Sequence, residues 1–170
     1  MSSIPDLYSL FREHPVICTD TRSLTSGCLF FALKGPSFNG NDFAGKALEA
    51  GAAYVVVDEA RAIVDDRCLL VEDVLTALQQ LALYHRRQLS IPVLSITGSN
   101  GKTTTKELVR AVLSKKFKTL ATKGNLNNHI GVPLTLLSIT SDVEFAVVEM
   151  GANHQQEIAS YCRIAEPNYG

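Results

Sequence analysis

Residues 96–104 read Ile96-Thr-Gly-Ser-Asn-Gly-Lys-Thr-Thr104. Two glycines three positions apart, followed at once by lysine and threonine, suit the cradling of a phosphate-type anion. Gly98 and Gly101 let the backbone bend closely around oxygen atoms, and Lys102 adds a full positive charge. The Thr103 hydroxyl is of the kind that ligates a hard cation such as Mg2+. If a helix opens here, the backbone of Ser99, Asn100, Gly101, Lys102, Thr103 and Thr104 surrounds the positive end of its dipole. The complete phosphate-loop pattern asks for a further glycine where Ile96 stands, so this is the shorter variant G-x-x-G-K-T. A bare Gly-Lys-Thr also occurs in ordinary turns. The apolar run Val93-Leu-Ser-Ile96 before it and the helical spacing of Thr103 to Leu113 after it supply the strand-loop-helix context that favours phosphate binding.

Two further groups fit the same chemistry. Glu149 closes the apolar run Glu144-Phe-Ala-Val-Val-Glu149, and ligands of open α/β sheets gather at the carboxyl ends of parallel strands. Alone it reads as a solvated carboxylate; beside a phosphate loop it reads as a Mg2+ ligand together with Thr103. The segment Lys123-Gly-Asn-Leu-Asn-Asn-His-Ile-Gly-Val-Pro133 offers Asn125, Asn127, Asn128 and His129, neutral hydrogen-bonding groups suited to a polar substrate.

The elements that must position these groups fall into two blocks. Before residue 88, strands are expected at Cys28 to Leu33, Ala53 to Val57 and Leu69 to Val71. Helices are expected at Asp42 to Ala50, ended by Gly51, and at Glu72 to Arg87. The polar stretch Arg86-Arg-Gln-Leu-Ser-Ile-Pro92 marks a boundary, giving domains of residues 1–88 and 89–170. Beyond it, strands at 93–96, 117–121 and 144–149 alternate with helices at 103–113, 133–138 and 155–165. Glu166 to Gly170 reads as the approach to another strand. The alternation specifies α/β architecture: a small α/β domain followed by a phosphate-loop domain with a parallel sheet, only part of which lies within the chain.

The 170 residues are 46% hydrophobic and 19% charged, with a net charge of −1. That composition supports a packed core, and no Lys/Arg stripe suggests nucleic acid as a partner. No apolar stretch is long enough to span a bilayer, and the start lacks a basic region followed by an apolar run, so a cytoplasmic location is expected. Cys18, Cys28, Cys68 and Cys162 form no C-x-x-C pair and read as inert thiols.

The chain resembles the Mur ligases. The resemblance rests on Ser95 to Glu107, on Gly124-Asn-Leu-Asn-Asn-His-Ile-Gly-Val-Pro-Leu-Thr135 and on Val148-Glu-Met-Gly-Ala-Asn-His154. Upstream it rests on Thr19-Asp-Thr-Arg22, Gly27 to Gly35, Asn39-Gly-Asn-Asp-Phe43 and Gly51-Ala52. Within the family it is closest to the type that joins D-alanyl-D-alanine to UDP-N-acetylmuramoyl tripeptide. The resemblance implies a monomeric enzyme of peptidoglycan synthesis using ATP and Mg2+. Lys102 and Glu149 would be catalytic, with Thr103 and Glu149 on the metal. Thr21, Arg22 and Asn41 would lie in the nucleotide-sugar pocket, and Asn125 to His129 between the two substrates. It also implies further metal ligands and a C-terminal domain beyond Gly170, without which the piece would be inactive. Two positions depart from the family's habit: Asn39-Gly40-Asn41 stands where Asp-Gly-His is frequent, and Thr21 where Ser is frequent. The competing readings are another Mur ligase, a folylpolyglutamate-type ligase, or a non-catalytic nucleotide-binding module. The Asn-Lys-x-Asp guanine signature of GTPase switches is absent.

Overall fold

A computed structural model describes residues 2–170, which divide into two compact units, one ending at Leu81 and the other running Ala82–Gly170. The division falls inside a helix, Val74–Gln88, rather than in the polar stretch after it.

The first unit opens with α1 (Ile4–Glu13), an element the sequence reading omits. Its signal is Ser3-Ile-Pro-Asp6. The Ser3 hydroxyl accepts from the Asp6 N–H at 3.3 Å, and the Asp6 carboxylate accepts from the Ser3 N–H at 3.4 Å, a reciprocal capping box. Then come β1 (Ile17–Cys18), β2 (Leu29–Phe31), β3 (Lys34–Gly35) and β4 (Phe38–Asn39). A 3₁₀ turn at Gly40–Phe43 leads into α2 (Ala44–Glu49), so the expected helix at 42–50 is α over most of its length and 3₁₀ at its first two residues. β5 (Tyr54–Val57), β6 (Cys68–Leu70) and α3 (Val74–Gln88) follow.

The sheet order is β1-β2-β5-β6, with every pairing parallel; β3 and β4 form a separate antiparallel hairpin. Strand alternation sends Phe30, Ala32, Val55 and Val57 into one core with Ala44, Ala47 and Leu48 of α2. Leu29, Phe31 and Val56, on the opposite face, are equally buried. A sheet covered on both faces explains why these strands read as continuous apolar runs.

The second unit contains β7 (Val93–Ile96), α4 (Lys102–Leu113), β8 (Thr119–Ala121), α5 (Gly131–Leu137), β9 (Phe145–Glu149) and α6 (Glu157–Ala165). The parallel sheet runs β7-β9-β8, placing the strand that ends in Glu149 between the other two. α4 packs against β8 and β9, while α5 packs on β9 and against α6. The expected approach to another strand is present: Leu94 and Tyr169 form a parallel bridge at the free edge of β7. Arg86, buried, shapes that approach. Its guanidinium donates to the carbonyls of Ala165, Leu89 and Glu166 and to the Asn168 side chain.

All four cysteines are free thiols, and burial beside Cys18 pushes the Cys28 thiol up to about 12. Among the described residues no helix is long and apolar enough to cross a membrane.

Candidate functional site

The candidate phosphate loop emerges from β7, the strand hydrogen-bonded to β9, and turns directly into α4. Gly101 sits at the helix start with φ 77°, a left-handed conformation that L side chains rarely adopt. No side chain caps α4, so the N–H groups of its first turn remain available to a ligand. Ser99, Asn100, Thr103 and Thr104 are exposed around that opening, as a phosphate site requires. The half-buried Lys102 folds back, and its ammonium donates to the Gly98 carbonyl across the loop.

Parallel pairing sets Ile96 beside Glu149, so the last residues of β7 and β9 lie level. The Thr103 hydroxyl reaches across and donates to Glu149 Oε1 at 3.2 Å. The two residues assigned to a metal thus meet. Glu149 itself is 1% exposed. Its backbone N–H donates to the Thr122 hydroxyl at 2.9 Å, and the Asn127 amide donates to Oε1 at 2.8 Å. Oε2 is buried with no hydrogen-bond partner. The Lys106 ammonium stands 3.6 Å from it, also 1% exposed, and donates to the Thr122 carbonyl at 2.9 Å. A carboxylate at this depth without a counter-charge would cost several kcal/mol, so Lys106 is what makes the position tenable.

The donor set fits Mg2+, which prefers carboxylate and hydroxyl oxygens. Adjacent ligands on an octahedral ion at 2.0–2.1 Å lie about 2.9 Å apart, close to the separation found between Thr103 Oγ1 and Glu149 Oε1.

Lys106 and Thr122 carry no metal or phosphate signal in the sequence. The available hint is spacing: Lys106 follows Thr103 by three residues, which puts both on one face of α4.

The loop 125–129 separates into different roles. Asn127 is drawn into the Glu149 cluster, and its backbone carbonyl accepts from the Gly151 N–H at 2.8 Å. Asn128 caps α5, accepting from the N–H groups of Ile130 and Gly131. Asn125 and His129 are exposed, and the Tyr161 hydroxyl meets the His129 backbone.

In the first unit, Thr21 and Arg22 occupy an exposed 3₁₀ turn capped by Asp20. The Arg22 guanidinium grips both Asp20 oxygens and holds that carboxyl down to about 2. Asn41 is buried and fully engaged. Its amide donates to Asn39 Oδ1 at 2.9 Å and Asp58 Oδ1 at 2.8 Å, and its carbonyl oxygen accepts from the Asp58 N–H. Lys34 joins this network through Asp58 at 2.8 Å and Glu59 at 3.1 Å. Asn41 therefore shapes the hairpin region rather than presenting a free donor.

Two family models match consecutive stretches: "Mur ligase family, catalytic domain" over residues 16–95 and "Mur ligase middle domain" over residues 96–170. A protein of Synechocystis sp. called UDP-N-acetylmuramoyl-tripeptide–D-alanyl-D-alanine ligase is 49% identical over 156 residues, covering 91% of this chain and 34% of the relative. The protein of the same name from Escherichia coli K12 is 48% identical over 151 residues, covering 89% and 33%. A crystal structure of MurF from Acinetobacter baumannii superposes with a TM-score of 0.82 at 42% identity, covering 89% of this chain and 33% of that one. The MurF ligase of Thermotoga maritima in complex with ADP gives 0.80 at 36% identity, covering 89% and 35%. The chain spans about a third of the length of the curated relatives it matches.

Proposed function

This chain belongs to the Mur ligase family, and on that premise we propose that it supplies the nucleotide-sugar-binding and phosphate-loop portions of a cytoplasmic ligase joining D-alanyl-D-alanine to UDP-N-acetylmuramoyl tripeptide. The observation that carries the reading is the meeting of Thr103 and Glu149 at 3.2 Å beside the uncapped start of α4. A charged phosphate chain seated there would be met by the α4 N–H groups and by Lys102 once it leaves the Gly98 carbonyl. Thr103 and Glu149 would hold Mg2+, which neutralises charge on the transferring phosphoryl group when bound.

In the complete reaction the tripeptide's terminal carboxylate attacks the γ-phosphorus of ATP, releasing ADP and forming an acyl phosphate. The amine of D-alanyl-D-alanine then attacks the acyl carbon, an amide forms, and phosphate leaves. Lys102 and Glu149 act in the first step by positioning and electrostatics. Asn125 and His129, exposed at the loop beside Glu149, face the place where the acceptor carboxylate must arrive. Thr21 and Arg22 form part of the nucleotide-sugar pocket, and Asn41 supports it through Asp58. The domains assigned to these tasks are residues 1–88 and 89–170, acting in a monomer.

The test uses the full-length protein containing this chain, with ATP, Mg2+, UDP-N-acetylmuramoyl tripeptide and either D-alanyl-D-alanine or single amino acids. Mass spectrometry should find the pentapeptide product. Product with a single amino acid alone would favour a sister ligase, and nucleotide binding with no ligation would favour a non-catalytic module. The 170-residue chain should bind nucleotide weakly and form no amide.

A further inference from the structure

We propose that Lys106 makes the Glu149 cation site conditional on bound nucleotide, holding it closed to free divalent ions until phosphate charge arrives. The inference rests on the phosphate-loop reading and extends it to a residue that neither touches the loop nor faces solvent.

Four residues meet Glu149 through a hydrogen bond or an ion pair. From α4 come the Thr103 hydroxyl and the Lys106 ammonium; from the end of β8, Thr122; from the loop before α5, the Asn127 amide. Lys106 is the one cation among them, and its ammonium is shared with the half-exposed Glu107 carboxylate. Its ammonium is fixed by the Thr122 carbonyl at 2.9 Å and braced by Glu107 at 3.2 Å, so it cannot swing away as a surface lysine would. The two carboxylate oxygens are treated unequally. Oε1 receives the hydroxyl and the amide, while Oε2 has only the ammonium at 3.6 Å, beyond hydrogen-bonding distance.

In this arrangement the buried Lys106–Glu149 pair is neutral, and the Glu107 carboxylate, half exposed, is largely screened by water. A divalent ion arriving at Oε1 gains one carboxylate but meets a fixed positive charge behind it, in a region where charges are poorly screened. Mg2+ parts with its water reluctantly, so a single compensated carboxylate and a hydroxyl are a poor exchange for hydration. Phosphate oxygens at the start of α4 add several negative charges and reverse the balance. Lys106 is thus a positioning residue with a second effect: it keeps the carboxylate folded in place without leaving a preloaded metal.

The experiment measures Mn2+ binding to the 170-residue chain by electron paramagnetic resonance, without nucleotide and with ATP. The wild type should hold no Mn2+ at micromolar concentration without nucleotide. Lys106→Met, similar in length but uncharged, should bind Mn2+ at least tenfold more tightly without nucleotide, and Mg2+ should raise its melting temperature more than that of the wild type. Lys106→Arg should behave as wild type. Adding Glu149→Gln to Lys106→Met should abolish the gain and restore the melting temperature, since no charge then needs compensation. Tight nucleotide-free Mn2+ binding by the wild type would overturn the proposal, as would an unchanged affinity in Lys106→Met. If Lys106→Met fails to fold even with Mg2+, refolding of the double variant supports the charge argument and continued unfolding refutes it. Failure of ATP to bind any of these proteins would count against the phosphate loop, while the nucleotide-free comparison would still judge Lys106.

Discussion

Replacing Lys102 with alanine separates binding from folding more cleanly than any other single change in the loop. The ammonium is half-buried at the start of α4, and its partner in the structure is the Gly98 carbonyl, within the same exposed loop. That bond spans four residues and ties no separate elements together, so its loss should change stability by no more than about 0.5 kcal/mol. Bound phosphate offers a different interaction. A hydrogen bond involving a charged group contributes about 1.5–3 kcal/mol, and each 1.4 kcal/mol is tenfold in affinity. Lys102→Ala should therefore weaken ADP or ATP binding by about 10- to 150-fold while leaving the melting temperature almost unchanged. Calorimetry at fixed ionic strength, with Mg2+ present, measures the first quantity, and thermal denaturation the second. A dissociation constant within twofold of wild type, in a protein that melts normally, would refute the assignment of Lys102 to phosphate. A large fall in melting temperature would refute the claim that the Gly98 bond is structurally minor.

Three other perturbations test separate parts of the second unit. Burial pushes the His85 imidazole down, against the hydrogen bond from Nε2 to the Ile139 carbonyl at 3.0 Å. The unfolded chain then binds more protons, so stability is full above the unfolded value of about 6.5 and falls as pH drops below it; His85→Gln should flatten that dependence in denaturant titrations between pH 7.5 and 5.5. Arg86→Ala removes a buried guanidinium from four acceptors and should destabilise the unit by about 3 kcal/mol in urea unfolding, with hydrogen exchange rising first at Ser95 and Tyr169, whose N–H groups bond the two segments. In Gly131→Ala the new Cβ would lie 2.2 Å from the Leu126 carbonyl carbon, so α5 and the loop before it must separate at a cost of about 1–3 kcal/mol, and ATP affinity should fall with the displaced Asn127.

The sheet of the second unit was readable because its strands are apolar runs bounded by polar loops, and because strand-helix alternation leaves few parallel topologies. Their order β7-β9-β8 was not readable: all three runs are short and apolar, and nothing local says which is central. The first unit hid more. α1 is announced by Ser3 and Asp6, but its apolar residues Leu7 and Phe11 are too few to form a long periodic pattern. The 42–50 segment has the composition of a helix. Gly40 nevertheless presses on the backbone of Ala32 and Leu33, where a Cβ would meet atoms at 2.4–2.5 Å, and the chain enters through a 3₁₀ turn.

For the site, residue type singles out Gly98, Gly101, Lys102, Thr103 and Glu149 as candidates, and it gives no sign of the groups that brace Glu149 from behind. Gly98, Gly101, Lys102 and Thr103 announce themselves by spacing, since the backbone of one loop does the work. Lys106 and Asn127 depend on contacts with Glu149 from 43 and 22 positions away, and a helical lysine followed by glutamate reads as an ordinary solvated pair. Asn41 illustrates what residue type leaves out. The resemblance places it in the nucleotide-sugar pocket; in the structure Asn39 and Asp58 accept from its amide, and Lys34, Glu59, Arg61 and Asp42 supply charge around them. Asp58 is half of an ion pair whose other oxygen accepts from the Val74 N–H at 3.3 Å at the start of α3. A change at residue 41 would therefore act first on this network, altering how β5, the hairpin and α3 are tied together, and only through them on whatever the exposed Thr21 and Arg22 turn binds.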